Sequence, residues 1–232
     1  MKSTIEQKRA AFRALHTAGC FILPNPWDAG SARMLEGMGF KALATTSSGH
    51  AWSMGLADGA ATREVVLEHL RLIVAATDLP VNADFEDGFA PDAQGVAQSV
   101  RMAIATGVAG LSIEDSTGDA ANPLRTIDDA VARIRAARAA IDQSGADVML
   151  VGRAENFFQG RPDLPDTLVR LRAYADAGAD CLYAPGIRTR EQIEAVVAAV
   201  APKPVNLLIG AKSEFSLQDV AVLGVRRVSV GG

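Results

Sequence analysis

The stretch "TGVAGLSIED", residues 106–115, decides the fold. Thr106 and Gly107 stop a helical segment, a short apolar strand follows, and Glu114 and Asp115 stand at its end. Glycine suits the stop because it takes the left-handed conformation that ends helices at no steric cost. The same unit recurs at "TAGCFILPN" (17–25), "GMGFKALATT" (37–46), "SGADVMLVGR" (144–153), "AGADCLYAPG" (177–186) and "LGVRRVSVGG" (223–232). Two further copies, "TDLPVNADFED" (77–87) and "APKPVNLLIG" (201–210), use proline as the stop. Helical periodicity fills the intervals, as in 62–77, 126–142, 166–178 and 189–200.

Strands that are apolar throughout, without alternation, belong to a parallel sheet covered on both faces. Eight strand–helix units in a chain of 232 residues match an α/β (β/α)8 TIM barrel, which typically takes about 250 residues, better than a doubly wound sheet. No linker or shift in composition divides the chain, so 1–232 reads as a single barrel domain preceded by an N-terminal helix. The sequence stops just after the eighth strand, so the expected last helix is missing. That strand should then be covered by the N-terminal helix or a neighbouring subunit, unless the chain is a shortened one.

Composition narrows the class. A hydrophobic content of 49% and a mean hydropathy of +0.13 supply a sizeable core. No apolar run approaches the roughly 18 residues of a membrane span, and the charged amphipathic N-terminus has no signal-peptide centre. A cytoplasmic protein without a membrane partner is expected. A net charge of −4 argues against a nucleic-acid partner. Cys20 and Cys181 are too few and too far apart for a disulfide framework or a zinc spacing, and both begin strands as small buried hydrophobes would.

In a barrel of this kind the active site forms at the C-terminal ends of the strands. Those ends read "PNPWDAGSA", "TTSSGHAW", "DFEDG", "SIEDS", "GRAEN", "YAPG" and "VNLLIG". Asp84, Glu86, Asp87, Glu114 and Arg153 therefore converge on one rim. Unpaired buried carboxylates are costly, and clustered oxygen ligands suit a hard divalent cation such as Mg2+, which touches one or two carboxylates and keeps several waters. Asp84 and Glu86, two apart in a strand, should share a face, with Asp87 turned away to cap the following turn. An EF-hand is excluded, because with Gly88 in its glycine position the first and third ligands would be Ala83 and Phe85. A solvated acidic turn without metal is the alternative, weakened by Glu114 at the adjacent strand end. Arg153 suits a substrate carboxylate or phosphate through its donor fork; an ion pair with Glu155 or Glu114 is an equal alternative. The "SSGHAW" segment (47–52) reads as a loop whose Gly49 lets backbone amides face an anion. His50 is more often a packing or surface histidine than a catalyst, and His16 and His69 on helices take no role.

The ordered set "NPWDAGSA", "TTSSGHAWSMGLADG", "NADFEDGFA", "GLSIEDS", "GRAENF" and "YAPGIRT…PKPVNLL" resembles the isocitrate lyase/phosphoenolpyruvate mutase superfamily from about residue 20 to residue 232. The resemblance implies a Mg2+-dependent enzyme, with Mn2+ as an alternative ion, that makes or breaks C–C or P–C bonds beside the carboxylate of a 2-oxo acid through an enolate. It implies Asp84 as direct metal ligand, with Glu86 and Glu114 holding metal-bound waters. Asp58 matches an acidic residue on a mobile loop, Arg153 the group at the substrate's anionic end, and Ser48, Gly49 and His50 the loop binding carboxylate and oxo group. Asn206 matches a further substrate-binding position, and a homo-oligomer, dimer or tetramer, is implied.

Departures from the family pattern narrow the reaction. Isocitrate and methylisocitrate lyases carry a cysteine and histidine motif after the fourth strand, where this sequence reads "STGDAANPLRT" without either residue. The mutases' lysine-rich gating loop is also absent, although Asn122 lies in its region. What remains suits oxaloacetate decarboxylation by a carbon–carbon lyase acting on a small 2-oxo or 2-hydroxy carboxylate. The alternatives are a phosphoenolpyruvate or phosphonopyruvate mutase or hydrolase, methylisocitrate lyase-like cleavage, and a non-catalytic 2-oxo acid binding protein.

Overall fold

A computed structural model describes residues 2–231. Eight parallel strands, β1 (Phe21–Leu23), β2 (Leu43–Ala44), β3 (Val81–Asp84), β4 (Gly110–Glu114), β5 (Met149–Arg153), β6 (Cys181–Tyr183), β7 (Val205–Leu208) and β8 (Arg227–Ser229), run in the order β1-β8-β7-β6-β5-β4-β3-β2. The circle closes between β1 and β2: Ala44 N–H donates to the Pro24 carbonyl at 3.0 Å and the Asn25 amide to the Thr45 carbonyl at 3.2 Å. This is the (β/α)8 TIM barrel expected from the repeat. All six glycines that mark its units adopt positive φ, from +67° at Gly145 to +108° at Gly178, a conformation that other residues enter only with strain.

The helices are α1 (Ile5–Leu15), α2 (Ala29–Gly37), α3 (Ser47–Ser53), α4 (Arg63–Ala76), α5 (Ala93–Ala105), α6 (Ile127–Ser144), α7 (Leu164–Asp176), α8 (Arg190–Val200) and α9 (Leu217–Val222). Each starts behind a Thr, Ser or Asp whose side chain accepts a backbone N–H of the first turn. Such a cap is worth about 1 kcal/mol. Thr62, Thr126 and Thr189, which open three of the periodic segments, are among these caps. The main core lies between the strands and the outer helices, with Leu111, Leu150, Leu182, Ile134 and Leu171 fully or almost fully buried.

The N-terminal helix does not cover the outside of β8. It plugs the barrel floor. Phe12 is fully buried against Leu23, Ala44, Met149 and Cys181 inside the barrel, a burial that contributes about 1.5–3 kcal/mol. Arg9 donates to the carbonyls of Ile104 and Val108, and Lys8 to those of Val74 and Thr77, which ties α1 to the last turns of α4 and α5 and to the segments that follow them. The outward side chain of β8, Val228, is 5% exposed and shares a core cluster with Val220 of α9 and Val225. Cys181 is buried at the start of β6 as expected, while Cys20, just before β1, is half-buried.

One row of paired residues positions the site. Glu114 pairs with Arg153, Arg153 with Tyr183, Tyr183 with Asn206, Asn206 with Arg227 and Arg227 with Phe21. Because barrel strands tilt, this register line slopes through the barrel, from the carboxylates of the upper rim to Phe21, which packs edge-on to His16 at the floor.

Candidate active site

A cavity of about 110 Å³ opens inside the C-terminal end of the barrel, lined by Ser48, Asp58, Asp84, Ser112, Arg153, Tyr183, Asn206 and Arg227, among others. Asp84 ends β3, with its N–H donated to Thr45 Oγ1 at 2.9 Å and its Oδ2 accepting the Ser47 N–H at 3.0 Å. Arg153, at the end of β5, places Nη1 3.2 Å from Asp84 Oδ1 and 3.2 Å from Glu114 Oε2, and its Nε donates to Glu155. Arg153 thus makes the ion pairs with Glu114 and Glu155 that the sequence offered as one reading, and it lines the cavity.

Glu86 reaches the cluster by a different route from the one its spacing suggests. Strand β3 ends at Asp84, and Glu86 sits at φ +46° in the left-handed region, so a turn and not strand alternation brings the two carboxylates together. The turn also lets the Glu86 carbonyl accept the Glu114 N–H at 3.0 Å. A non-glycine residue held at positive φ is strained, and such strain clusters at functional sites. Asp87 faces away as expected, capping Phe89 N–H at 2.9 Å and pairing with Arg125 at 2.6 Å.

The cluster is electrostatically unbalanced. Burial first, then the charges of Asp84, Asp58 and Asp87, push Glu86 up to about 8. Burial likewise holds Glu114 well above the ordinary carboxylate range despite Arg153, with Glu155, Asp84 and Glu86 adding repulsion. Burial alone would lower Arg153, but Glu114, Glu155 and Asp84 more than offset it and hold the guanidinium firmly charged. Tyr183, its ring 5.2 Å from the Arg153 guanidinium, is raised by burial to about 12 and stays protonated. So many carboxylates around one cation leave room for a further positive charge.

The donor chemistry fits a hard cation of the Mg2+ kind. Among the described residues no three His, Cys, Asp or Glu side chains close on one point as direct ligands would. An ion held there would touch Asp84 and reach Glu86 and Glu114 through its own waters.

Other expected residues take distinct places. Ser48 and Asp58 border both this cavity and an adjoining groove of about 550 Å³ lined by Trp52, Phe158 and Phe215. Asn206 lines the cavity and is buried. The "SSGHAW" segment is not a loop: it is α3, capped by Thr46, whose hydroxyl takes the Gly49 N–H at 3.3 Å. Gly49 is required by packing, since a Cβ there would lie 2.4 Å from the Trp27 ring. Gly49 and His50 are not among the cavity's lining residues. The His50 ring stacks on His69 of α4 at 3.7 Å, and burial lowers the affinity of His50 for a proton. Asn122 borders a separate open groove with Asn156, Arg161 and Asp166.

Asn82, Ser112, Tyr183, Arg227 and Ser229, to which the sequence assigns no role, also line the cavity from the strands. A signal existed for the last two: in "VRRVSV" Arg227 and Ser229 are polar and two apart, so they share the inward face.

A barrel with a cluster of charged side chains at its C-terminal mouth is an enzyme architecture. Residues 12–232 match the family model described as phosphoenolpyruvate phosphomutase, and the chain belongs to that family of lyases and mutases. A Burkholderia cenocepacia J2315 structure provisionally called a lyase/mutase is 50% identical, with a TM-score of 0.96 over 98% of this chain and 83% of that one. The oxaloacetate decarboxylase of Bradyrhizobium sp. (strain ORS 278) is 32% identical, over 98% of this chain and 78% of its own. The structure of oxaloacetate acetylhydrolase in complex with the product oxalate is 28% identical, with a TM-score of 0.88 over 97% of this chain and 80% of that one.

Proposed function

We propose that the protein is a Mg2+-dependent carbon–carbon lyase acting on a small 2-oxo or 2-hydroxy carboxylate, with oxaloacetate decarboxylation as its leading reaction. The observation that carries this reading is the clustering of Glu86 and Glu114, both displaced upward in pKa, beside Asp84, which lines a cavity sized for a few-carbon substrate. When bound, the ion would polarise the 2-oxo carbonyl and favour the negative charge that its oxygen gains as CO2 departs. Asp84 is held for this task by the Ser47 amide on one oxygen and Arg153 on the other. Arg153 keeps Glu114 and Asp84 apart and oriented, which limits the rearrangement needed on binding. Ser48 and Asn206 supply neutral hydrogen-bonding groups at the cavity wall. The loop 116–125 contributes no histidine or cysteine. It is folded on itself, with Thr117 N–H on the Pro123 carbonyl and Thr117 Oγ1 on the Asn122 carbonyl. A reaction whose leaving group departs as CO2 needs no acid or base from that loop to release it, whereas retro-aldol cleavage of a hydroxy acid does need a base.

Release of CO2 and pyruvate from oxaloacetate, with Mg2+ and with EDTA against the metal-only background, tests the proposal. Enzyme-dependent, EDTA-sensitive turnover is expected. Turnover of phosphonopyruvate or methylisocitrate in place of oxaloacetate would reassign the reaction within the family, and tight 2-oxo acid binding without turnover would make the protein a binding module.

A further inference from the structure

Two arginines line the cavity, and their surroundings are opposite. Arg153 is committed to three carboxylates. Arg227, in the same register row three strands away and 2% exposed, has no carboxylate within ion-pair distance among the described residues. Its Nε donates to Asn206 Oδ1 at 2.9 Å and its Nη1 to Asn82 Oδ1 at 3.4 Å, both neutral amides, and its Nη2 donates to no protein group among the described residues. Amide oxygens fix the plane of the guanidinium without cancelling its charge. The uncancelled field reaches the floor: His16 is pushed down to about 3, by burial first and by Arg227 second. A buried cation without a counter-charge is strongly unfavourable and is retained where an anionic ligand supplies the missing partner.

We propose that Arg227 is a substrate-binding residue that receives the carboxylate which the substrate keeps through the reaction, the one adjoining the 2-oxo group. This rests on the 2-oxo acid reading above and adds a second anchor, at the floor of the cavity, to the acidic rim. The assignment to the retained carboxylate follows from charge. Loss of CO2 requires the departing carboxylate to surrender its negative charge to the remaining carbon, and a cation clamped on it would oppose that step, whereas the same cation on the retained carboxylate costs nothing in the transition state. The planar fork of Arg227, oriented by Asn82 and Asn206, matches a carboxylate's two oxygens.

The test is a ligand-observed NMR titration with pyruvate, which carries only the retained carboxylate, in EDTA, so that the arginine is read without the metal. Malonate is titrated in parallel as a carboxylate control lacking the 2-oxo group. Arg227→Met should weaken pyruvate binding by about 30-fold or more, and Arg227→Lys, which keeps the charge but not the fork, by about 10-fold or less. Arg227→Met removes an unpaired buried charge but leaves the Asn82 and Asn206 Oδ1 atoms without a donor, so its melting temperature is read beside its binding. Unchanged pyruvate binding in the variant, absence of pyruvate binding in the wild type, or selective loss of malonate binding would each overturn the assignment. A lowered melting temperature with intact binding would make Arg227 a structural tie between Asn82 and Asn206 and would also overturn it. Arg227-dependent pyruvate binding in a protein that does not decarboxylate oxaloacetate would sustain this inference while removing the decarboxylase reading.

Discussion

Glu114 and Asp115 are adjacent, both nearly buried at the end of β4, and they meet opposite environments. Asp115 points outward and is 1% exposed, with Oδ1 taking the Glu155 N–H at 2.8 Å and Oδ2 taking Tyr174 Oη at 2.6 Å and Arg170 Nη1 at 3.0 Å. Arg170 is in turn held by Asp166 and by the Arg125 carbonyl. Both Asp115 oxygens have donors, and Arg170 pairs directly with Asp115 and Asp166, so this cluster locks the ends of β4 and β5 to α7. Glu114 points inward into an excess of carboxylates around Arg153 and is held well above its ordinary pKa by burial and by its neighbours. A satisfied buried network reads as structure and an unbalanced one as a place awaiting a ligand.

The comparison breaks most directly on the inward side. Asp84→Ala should lower Mg2+-dependent turnover by about 1000-fold or more, with circular dichroism and the unfolding midpoint close to wild type. Substantial metal-dependent turnover in the folded variant would remove Asp84 from the metal site. On the outward side Asp115→Ala should leave Arg170 and Tyr174 without their partner and cost about 3–5 kcal/mol in urea unfolding. A loss below about 1 kcal/mol would show that the outward network does not carry the stability assigned to it here.

Proton linkage sharpens the contrast. Glu86 titrates near 8 in the folded metal-free protein and near the ordinary glutamate value when unfolded, so the folded state binds more protons between these values. Stability of the metal-free protein should therefore fall as pH rises from about 5 through 8. Mg2+ should reverse part of that fall and release protons when it binds near pH 7. Calorimetry in buffers of different ionisation enthalpy reads that release, and proton-neutral binding would sink the account of Glu86. The smallest effect is expected at Cys181, buried in the barrel wall without a catalytic partner. Cys181→Ala should cost about 1 kcal/mol of stability and leave kcat and KM within twofold of wild type in a steady-state assay. A large loss of kcat in a stable Cys181 variant would give that thiol a role in the chemistry.

Much of the site was legible in the sequence because the barrel turns a linear feature, the strand end, into a shared location. Strand-end position puts Asp84, Arg153 and Ser48 at the cavity wall and Glu114 against Arg153, while Asn206 comes from the family resemblance. The resemblance sets His50 beside the substrate, whereas it packs on His69 as the residue type alone suggests, because "SSGHAW" carries a helix cap in Thr46 and a glycine whose real constraint is Trp27, more than twenty positions earlier in the chain. The spacing of Arg227 and Ser229 places both on the inward face of β8, but nothing in that strand says what lies across the barrel from them.

The sequence by itself determined the alternation of strand and helix, the capped starts of the helices, the glycine-marked entries to six strands and the carboxylates at the strand ends, all consequences of local backbone preference and apolar patterning. Only the tertiary structure decided that α1 plugs the floor, that Glu86 arrives by a left-handed turn, that Asp115 meets donors while Glu114 meets further carboxylates, and that Arg227 has no counter-charge among the described residues. Those outcomes depend on the closure and slope of the barrel, which set distances between residues of distant strands and leave no local trace in the chain.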